Sequence, residues 1–430
     1  MNLIKKNKSI SILLSIIPGL GQLYNGDLLK GLAFLSVTII FAIEMNIFGI
    51  SALKNFITLG STPTADNSLF MMIEGALQII ICLVFILVFI VSVRDAKQTA
   101  ISINKGNIPN RAFKNVVRLV IDKGFAYLLT VPAYIMMIIA IVFPVLVTIC
   151  IAFSNYDFKH IPPAKLLDWV GFENFKNIFI LSSYRATFLK VFIWTVIWTL
   201  VATTLQIALG IFSAILCHQN FVKLKRIFGV IFLLPWAVPS FITIMSFSNM
   251  FNDSAGAINT QIIPILNYLP FVNIGMIPWK TDPNWTKAAI IMVQCWLGFP
   301  YVYVLVTSIL QSIPIDVYEA ATIDGVNAWQ RFTNITFPSI ILIAAPTFIT
   351  QYTGNFNNFS VIYLFNNGGP GSLGNNAGTT DILISWVYKM TTGGSPQYSV
   401  VASILLIISA VVIGVSMIVF KQTHALNLED

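Results

Sequence analysis

Long apolar runs alternate with short polar connections along the 430 residues. Eight such runs come to or exceed the ~20 residues needed to cross a bilayer's hydrocarbon core. They predict helices near 30–50, 73–93, 125–153, 187–217, 227–250, 286–310, 338–364 and 398–420. Ahead of them, SISILLSIIPGLGQLYNG (Ser9–Gly26) is apolar but interrupted by Pro18, Gly19 and Gly21. It reads as an interfacial or re-entrant segment, and no small-residue cleavage site follows to make it a signal peptide. Between the sixth and seventh runs, YEAATIDGVNAWQRFTNITFP (Tyr318–Pro338) turns polar. Pro314 ends the preceding helix. Asp316 is placed to cap a two-turn helix with Glu319 completing a capping box, and Gly325 is its left-handed stop. Asn327 and Gln330 repeat the cap pattern and open a second short helix leading to Pro338.

The pattern predicts an all-α polytopic membrane protein with about eight transmembrane helices. Composition agrees: 57% of residues are hydrophobic and 10% charged, against ~25% charged in soluble domains. The net charge of +8 sits in a few loops. Lys5, Lys6 and Lys8 precede the first span. Arg94, Lys97, Lys105, Arg111, Lys114, Arg118 and Lys123 face only Asp95 and Asp122 between the second and third, and Lys223, Lys225 and Arg226 follow the fourth. The positive-inside rule puts these loops, both termini and Tyr318–Pro338 in the cytoplasm. The loop after the third span is nearly balanced, with Lys159, Lys165, Lys176 and Arg185 against Asp157, Asp168 and Glu173. No basic surface interleaved with aromatics is visible, which argues against nucleic acid.

Catalytic signatures are missing. There is no G-x-x-x-x-G-K-[ST] and no H-E-x-x-H. The glycine-rich run Asn366–Thr380 lacks lysine and reads as a flexible extracytoplasmic loop. Cys82, Cys150, Cys217 and Cys295 lie in apolar runs as buried thiols, and His160, His218 and His424 are scattered. No metal site and no cofactor held by this chain are expected. Glu44 and Lys190 are the clearest ionisable residues within the spans. Spans four to eight instead carry Asn, Gln, Thr, Ser, Trp and Tyr, a lining suited to a neutral hydroxylated solute rather than an ion. Energy for pumping must then come from another chain.

The polar segment carries a resemblance. Glu319-Ala320-Ala321, Gly325, Ile335 and Phe337-Pro338 match the EAA loop of ABC-importer permeases, with Phe337 where leucine is usual. WLGFPY (Trp296–Tyr301), LPWAVPSF (Leu234–Phe241), NFNNF (Asn355–Phe359) and NNGGP (Asn366–Pro370) resemble the MalF-type subunit of maltose/maltodextrin importers, most closely from about Phe188 onward. Ser154–Arg185 is short where enterobacterial members carry a large insertion, so any docking surface for a binding protein there is smaller. The resemblance implies a six-span type I permease core. The expected organisation is an N-terminal segment with two extra helices and a basic loop (1–124), a third span with a short extracytoplasmic loop (125–186), and the core (187–430) with its coupling loop (314–338).

It implies partners too: a second homologous permease, two ATPase subunits that use ATP and magnesium, an extracellular solute-binding protein, and an oligosaccharide substrate. Glu319, Ala320, Ala321 and Gly325 are the coupling residues by this resemblance. Gln294, Trp296, Leu297, Gly298, Tyr301, Asn355, Asn358 and Ser360 are the sugar-binding candidates. Gln294 stands where a relative has asparagine and Gly354 where it has phenylalanine. Aromatic faces stack on sugar rings and amides bond hydroxyls, although helix packing alone also accounts for Trp296 and Tyr301. Three amides, Asn355, Asn357 and Asn358, are costly in lipid and must face a partner helix or a cavity. The alternatives are an ABC permease for another sugar or neutral solute, a secondary transporter working without ATP, and a membrane enzyme.

Overall fold

The computed structural model describes residues 6–106, 124–125, 129–219 and 221–422. Lys5, Arg111, Lys114, Arg118, Asp122, Lys123 and His424 lie outside the described residues. Every regular element described is a helix, and strand pairing is confined to isolated bridges. Seven helices are long and apolar enough to cross a membrane, with an eighth if one bent pair counts as a single span. The chain is a multi-pass membrane protein. It divides into two compact units, Met1–Gly171 and Phe172–Asp430.

The first unit holds α1 (Lys8–Leu14), α2 (Leu20–Asn25), α3 (Leu28–Thr58), α4 (Ser68–Asn104) and α5 (Leu129–Ala152). The broken segment Ser9–Gly26 is thus a pair of short helices and not a span. The span expected at 30–50 is longer at both ends and contains a π turn, Met45–Gly49. Helix α4 continues past its apolar run to Asn104. At 1.5 Å per residue it is about 55 Å long, beyond the ~30 Å hydrocarbon core.

The second unit holds α6 (Glu173–Ile180), α7 (Ser182–His218), α8 (Lys225–Ala237), α9 (Ser240–Met250), α10 (Pro283–Ser312), α11 (Ile315–Ile323), α12 (Ala328–Asn366), α13 (Leu383–Thr392) and α14 (Tyr398–Gln422). The fifth expected span, 227–250, is not one helix: α8 and α9 meet at 91°. Val238 is extended before Pro239, as a residue preceding proline must be when helix is sterically disfavoured. The second short helix of the polar segment runs through a π turn, Phe332–Thr336, directly into the seventh span. That span breaks again at Asn357–Asn358 before a last piece, Phe359–Asn366.

Helices α7 and α10 pack along much of their length, with α12 beside both. Two apolar clusters fill this three-helix interior. One contains Trp198, Ala202, Ile290, Val293 and Phe365; the other contains Ile207, Val302, Val306, Ile340 and Phe348. The sequence order of the clusters on each helix leaves a gap between them at the same level: residues 203–206 on α7, 294 on α10 and 351–358 on α12.

The glycine-rich run, expected as a flexible loop, is tied down instead. Trp194 Nε1 donates to Thr380 O at 3.0 Å and Trp386 Nε1 to Asn375 O at 2.7 Å. The fully buried Asp381 carboxylate accepts from Gly378 N–H, Ser385 Oγ and Lys389 Nζ at 2.7, 2.8 and 2.6 Å. A buried charge persists only when paired and hydrogen-bonded, and this carboxylate organises the turns around itself.

Candidate functional site

The gap between the two clusters is filled by amides. Gln206 on α7 is wholly buried, and its Oε1 accepts from Gln294 Nε2 at 2.9 Å and Asn355 Nδ2 at 3.2 Å. Its own Nε2 donates to Gln351 Oε1 at 2.9 Å. Asn355 Nδ2 also donates to Thr203 Oγ1 at 2.9 Å. Asn358 Nδ2 closes the layer by donating to Gln294 Oε1 at 2.8 Å and Asn355 Oδ1 at 3.3 Å. The break at Asn357–Asn358 has a local cause here: Asn358 is the N-cap of Phe359–Asn366, with its Oδ1 accepting from Val361 N–H. No aspartate, glutamate, lysine or arginine occurs at this level of the three helices.

The predicted sugar-site residues do not all meet in one place. Gln294, Asn355 and Asn358 come together in the amide layer. Gly298 belongs with them for a steric reason, since a Cβ there would lie 2.1 Å from Gln206 Oε1. Trp296 and Tyr301 are not in the layer. At 100° per residue, Trp296 points about 200° away from Gln294, and the two aromatics are 42% and 38% exposed. Each meets another ring: Trp296 meets Phe247 edge-on with centroids 6.3 Å apart, and Tyr301 lies 5.9 Å from Trp236. Leu297 packs against the first apolar cluster. Ser360 is exposed on the last piece of α12.

Sequence reasoning missed Gln206, the hub of the layer, along with Thr203, Gln351 and the ring partners Trp236 and Phe247. The signal for Gln206 was present: Thr203, Thr204 and Gln206 are polar residues inside an apolar run, subject to the same cost that singled out the asparagines. A cavity of about 470 Å³ lies elsewhere, between α7, α12 and α14, lined by residues such as Leu200, Phe348 and Val415. It has almost no converging polar groups, so the amide layer is the better candidate for a hydroxylated solute.

Just ahead of α10, Lys280 straps the α9–α10 connection in place. Its Nζ donates to Ser248 Oγ at 2.7 Å, and its carbonyl accepts from Asn366 Nδ2 at 3.2 Å. Burial lowers the Lys280 pKa from the usual lysine value, partly offset by the Asp253 carboxylate. Among the described residues no group of histidine, cysteine or acidic side chains could hold a metal ion.

At the other end, the polar segment has the predicted helix–glycine–helix form with corrected details. Helix α11 is not capped by Asp316: Pro314 is its N-cap, and no capping box with Glu319 forms. It ends in a Schellman motif, with Val326 N–H donating to Ala321 O at 3.0 Å and Gly325 N–H to Thr322 O at 3.2 Å. Gly325 has φ +72°, where only glycine fits without strain. The Asn327–Gln330 capping box forms as predicted. Of the paired alanines, Ala320 is exposed while Ala321 is buried, so only the first lies on the outward face with Glu319. Ile323 and Trp329 flank the glycine at 87% and 70% exposure. Phe337 meets Phe332 at a tilt, and Phe332 meets Trp329 likewise.

The comparisons with known proteins agree with this architecture. The family described as "Binding-protein-dependent transport system inner membrane component" matches residues 206–423. The maltodextrin transport system permease protein MalC of Streptococcus pneumoniae is 59% identical over 431 residues, spanning 100% of this chain and 99% of that protein. The maltodextrin transport system permease protein MdxF of Bacillus subtilis is 60% identical over 425 residues, spanning 99% and 98%. A solved bacterial ABC transporter involved in the import of the acidic polysaccharide alginate aligns with a TM-score of 0.58 at 17% identity, covering 72% of this chain and 98% of the matched one. That likeness carries the fold alone. The chain belongs to the family of inner membrane components of binding-protein-dependent transport systems.

Proposed function

We propose that the chain is the permease subunit of an ATP-driven importer for maltodextrin-type oligosaccharides. The observation that carries this is the neutral amide layer of Gln206, Gln294, Asn355 and Asn358 inside three spans. Relatives of 59–60% identity named for maltodextrin transport support the substrate class. In the conformation described, the layer's amides bond one another, so a sugar exchanges amide–amide bonds for amide–hydroxyl bonds as the helices separate. The exposed rings of Trp296, Tyr301 and Trp236 offer faces on which sugar rings stack.

A second homologous permease completes the path, and an extracellular solute-binding protein delivers the sugar. Two ATPase subunits bind ATP and magnesium; this chain binds neither and catalyses nothing itself. The termini and the Gly325 segment lie on the cytoplasmic side in this reading, which the loop charges support. There Glu319, Ala320, Ile323 and Trp329 form the surface on which an ATPase subunit acts. Because Ala328 to Phe356 is continuous through its π turn, displacement of that surface is transmitted along α12 to Gln351 and Asn355. ATP binding thereby changes the exposure of the amide layer, a coupling of two equilibria through one rigid element.

The test is uptake and sugar-stimulated ATP hydrolysis by the assembled complex over a panel of glucosides, from maltose to longer maltodextrins, with other neutral oligosaccharides for contrast. Stimulation by maltodextrins above the other sugars is expected. Stimulation by a charged solute and not by these would overturn the reading, and transport without an ATPase would point to a secondary transporter.

A further inference from the structure

The N-terminal helix pair has a feature that solute transport does not use. Its inner face is bonded to α4 by polar groups. Ser11 Oγ and Asn25 Nδ2 donate to Ala96 O at 3.1 and 2.8 Å, and Gln22 Nε2 donates to Ser92 O at 2.8 Å. The approach is tight enough that a Cβ at Gly21 would sit 3.0 Å from Ala96 Cβ on α4. The outer face is the reverse: Ile10, Leu13, Ile16 and Ile17 are 43–67% exposed. A short segment with a polar inner face and an apolar outer one gains nothing from water on the outside.

Its level along the chain is defined by its own contacts. Residues 92–96 of α4 are where that helix passes from its apolar run to Arg94, Asp95 and Lys97, the level of the headgroups. Helix α3 begins its apolar run immediately after the pair, at Leu28. The charges at this level are lopsided. Lys30 engages both carboxylates, at 2.7 Å from Asp95 and 3.8 Å from Asp27. Lys8, Arg94 and Lys97 remain exposed, and Lys6 lies over the Tyr24 ring at 4.6 Å.

We propose that α1, α2 and the adjoining turn of α4 form a docking site for anionic phospholipid. The apolar outer face enters the acyl boundary, and Lys6, Lys8, Arg94 and Lys97 take the headgroup charge. This is the arrangement of an interfacial amphipathic segment, in which apolar burial and attraction to anionic lipid act together. The site is independent of the sugar path, so it stands or falls separately from the proposed function.

Two measurements on the full chain test it. In the first, Cys82, Cys150, Cys217 and Cys295 are replaced by alanine and Leu13→Cys carries an environment-sensitive fluorophore in lipid nanodiscs. Brominated acyl chains are expected to quench the label; an unquenched label overturns the site. In the second, phosphatidylglycerol is titrated against the detergent-solubilised protein and retained lipid is read by native mass spectrometry, with phosphatidylcholine as reference. Lys8→Gln and Lys97→Gln are each expected to weaken phosphatidylglycerol retention about fivefold and to leave phosphatidylcholine unchanged. Lys54→Gln, at the other end of α3, is expected to leave both unchanged. Equal retention in all variants, or an equal loss in Lys54→Gln, would show that no anionic-lipid site exists here.

Discussion

Two regions of the second unit interrupt an apolar chain with polar side chains, and they do so in opposite ways. The amide layer turns its groups inward, where Gln206, Gln294, Asn355 and Asn358 bond one another. The Gly325 segment satisfies its backbone with a Schellman motif and a capping box and turns Glu319, Ile323 and Trp329 outward. The first spends its polarity on internal order. The second leaves its side chains for another surface. A buried amide without a partner is costly and an exposed one is not, so substitutions in the layer should register in stability, and those in the segment only in coupling.

The sharpest way to break the contrast is Gly325→Pro. Proline fixes φ near −65°, incompatible with +72°, and it removes the N–H that bonds Thr322 O. The outward surface is lost while the apolar clusters are untouched. Uptake should fall to background with a normal amount of chain in the membrane fraction; normal uptake would remove the segment from the coupling role. Glu319→Lys should do the same more cleanly, because the exposed carboxylate contributes to no described contact of the fold.

Gln206→Leu tests the other side. It deprives Gln294 Nε2 and Asn355 Nδ2 of their shared acceptor, at about 1–3 kcal/mol for each donor left unsatisfied. The thermal midpoint of the solubilised chain should drop clearly, before any question of transport. An unchanged midpoint would mean that water replaces the acceptor and that the layer is wetter than its burial suggests.

Gly298→Ala sharpens the same point. Its methyl would collide with Gln206 Oε1 at 2.1 Å, and overpacking of this kind costs about 1–3 kcal/mol. Combining it with Gln206→Ala, which vacates the space, should restore part of the loss. Additive effects of the two substitutions would show that they do not share a contact.

How far each region could be read in advance follows from the same physics. The coupling segment was legible because local chemistry builds it: Gly325 and the Asn327–Gln330 pair specify their own turns within a few residues. The Asp316 cap failed because α11 begins at Ile315, one residue earlier, which puts Asp316 inside the first turn and not ahead of it. Helix count and span positions were legible from hydropathy. The 91° bend at Val238–Pro239 was not read, although its proline was in view, because the apolar run continues across it. The amide layer was only half legible. Asn355 and Asn358 stand out in sequence, but their partner Gln206 is some 150 residues away, and which amides meet is a tertiary fact. Trp296 and Tyr301 followed from the family pattern; the 100° helical step already turns Trp296 away from Gln294, whereas Tyr301, two turns on, returns to its side.

That last separation yields the smallest effect on folding and the most selective one on function. Trp296 is 42% exposed and contacts Phe247 and Phe299 only at their edges or at a tilt. Trp296→Ala should therefore shift stability by about 0.5 kcal/mol or less, as exposed substitutions do. If its face stacks on a sugar ring, sugar-stimulated ATP hydrolysis by the assembled complex should fall by about a factor of 10, the size of a lost stacking contact of ~1–1.5 kcal/mol, with basal hydrolysis unchanged. Tyr301→Ala should behave alike, because its ring is likewise half-exposed and meets Trp236 only at a tilt. The opposite result, a stability loss with stimulation intact, would assign these rings to helix packing and return the sugar to the amides alone.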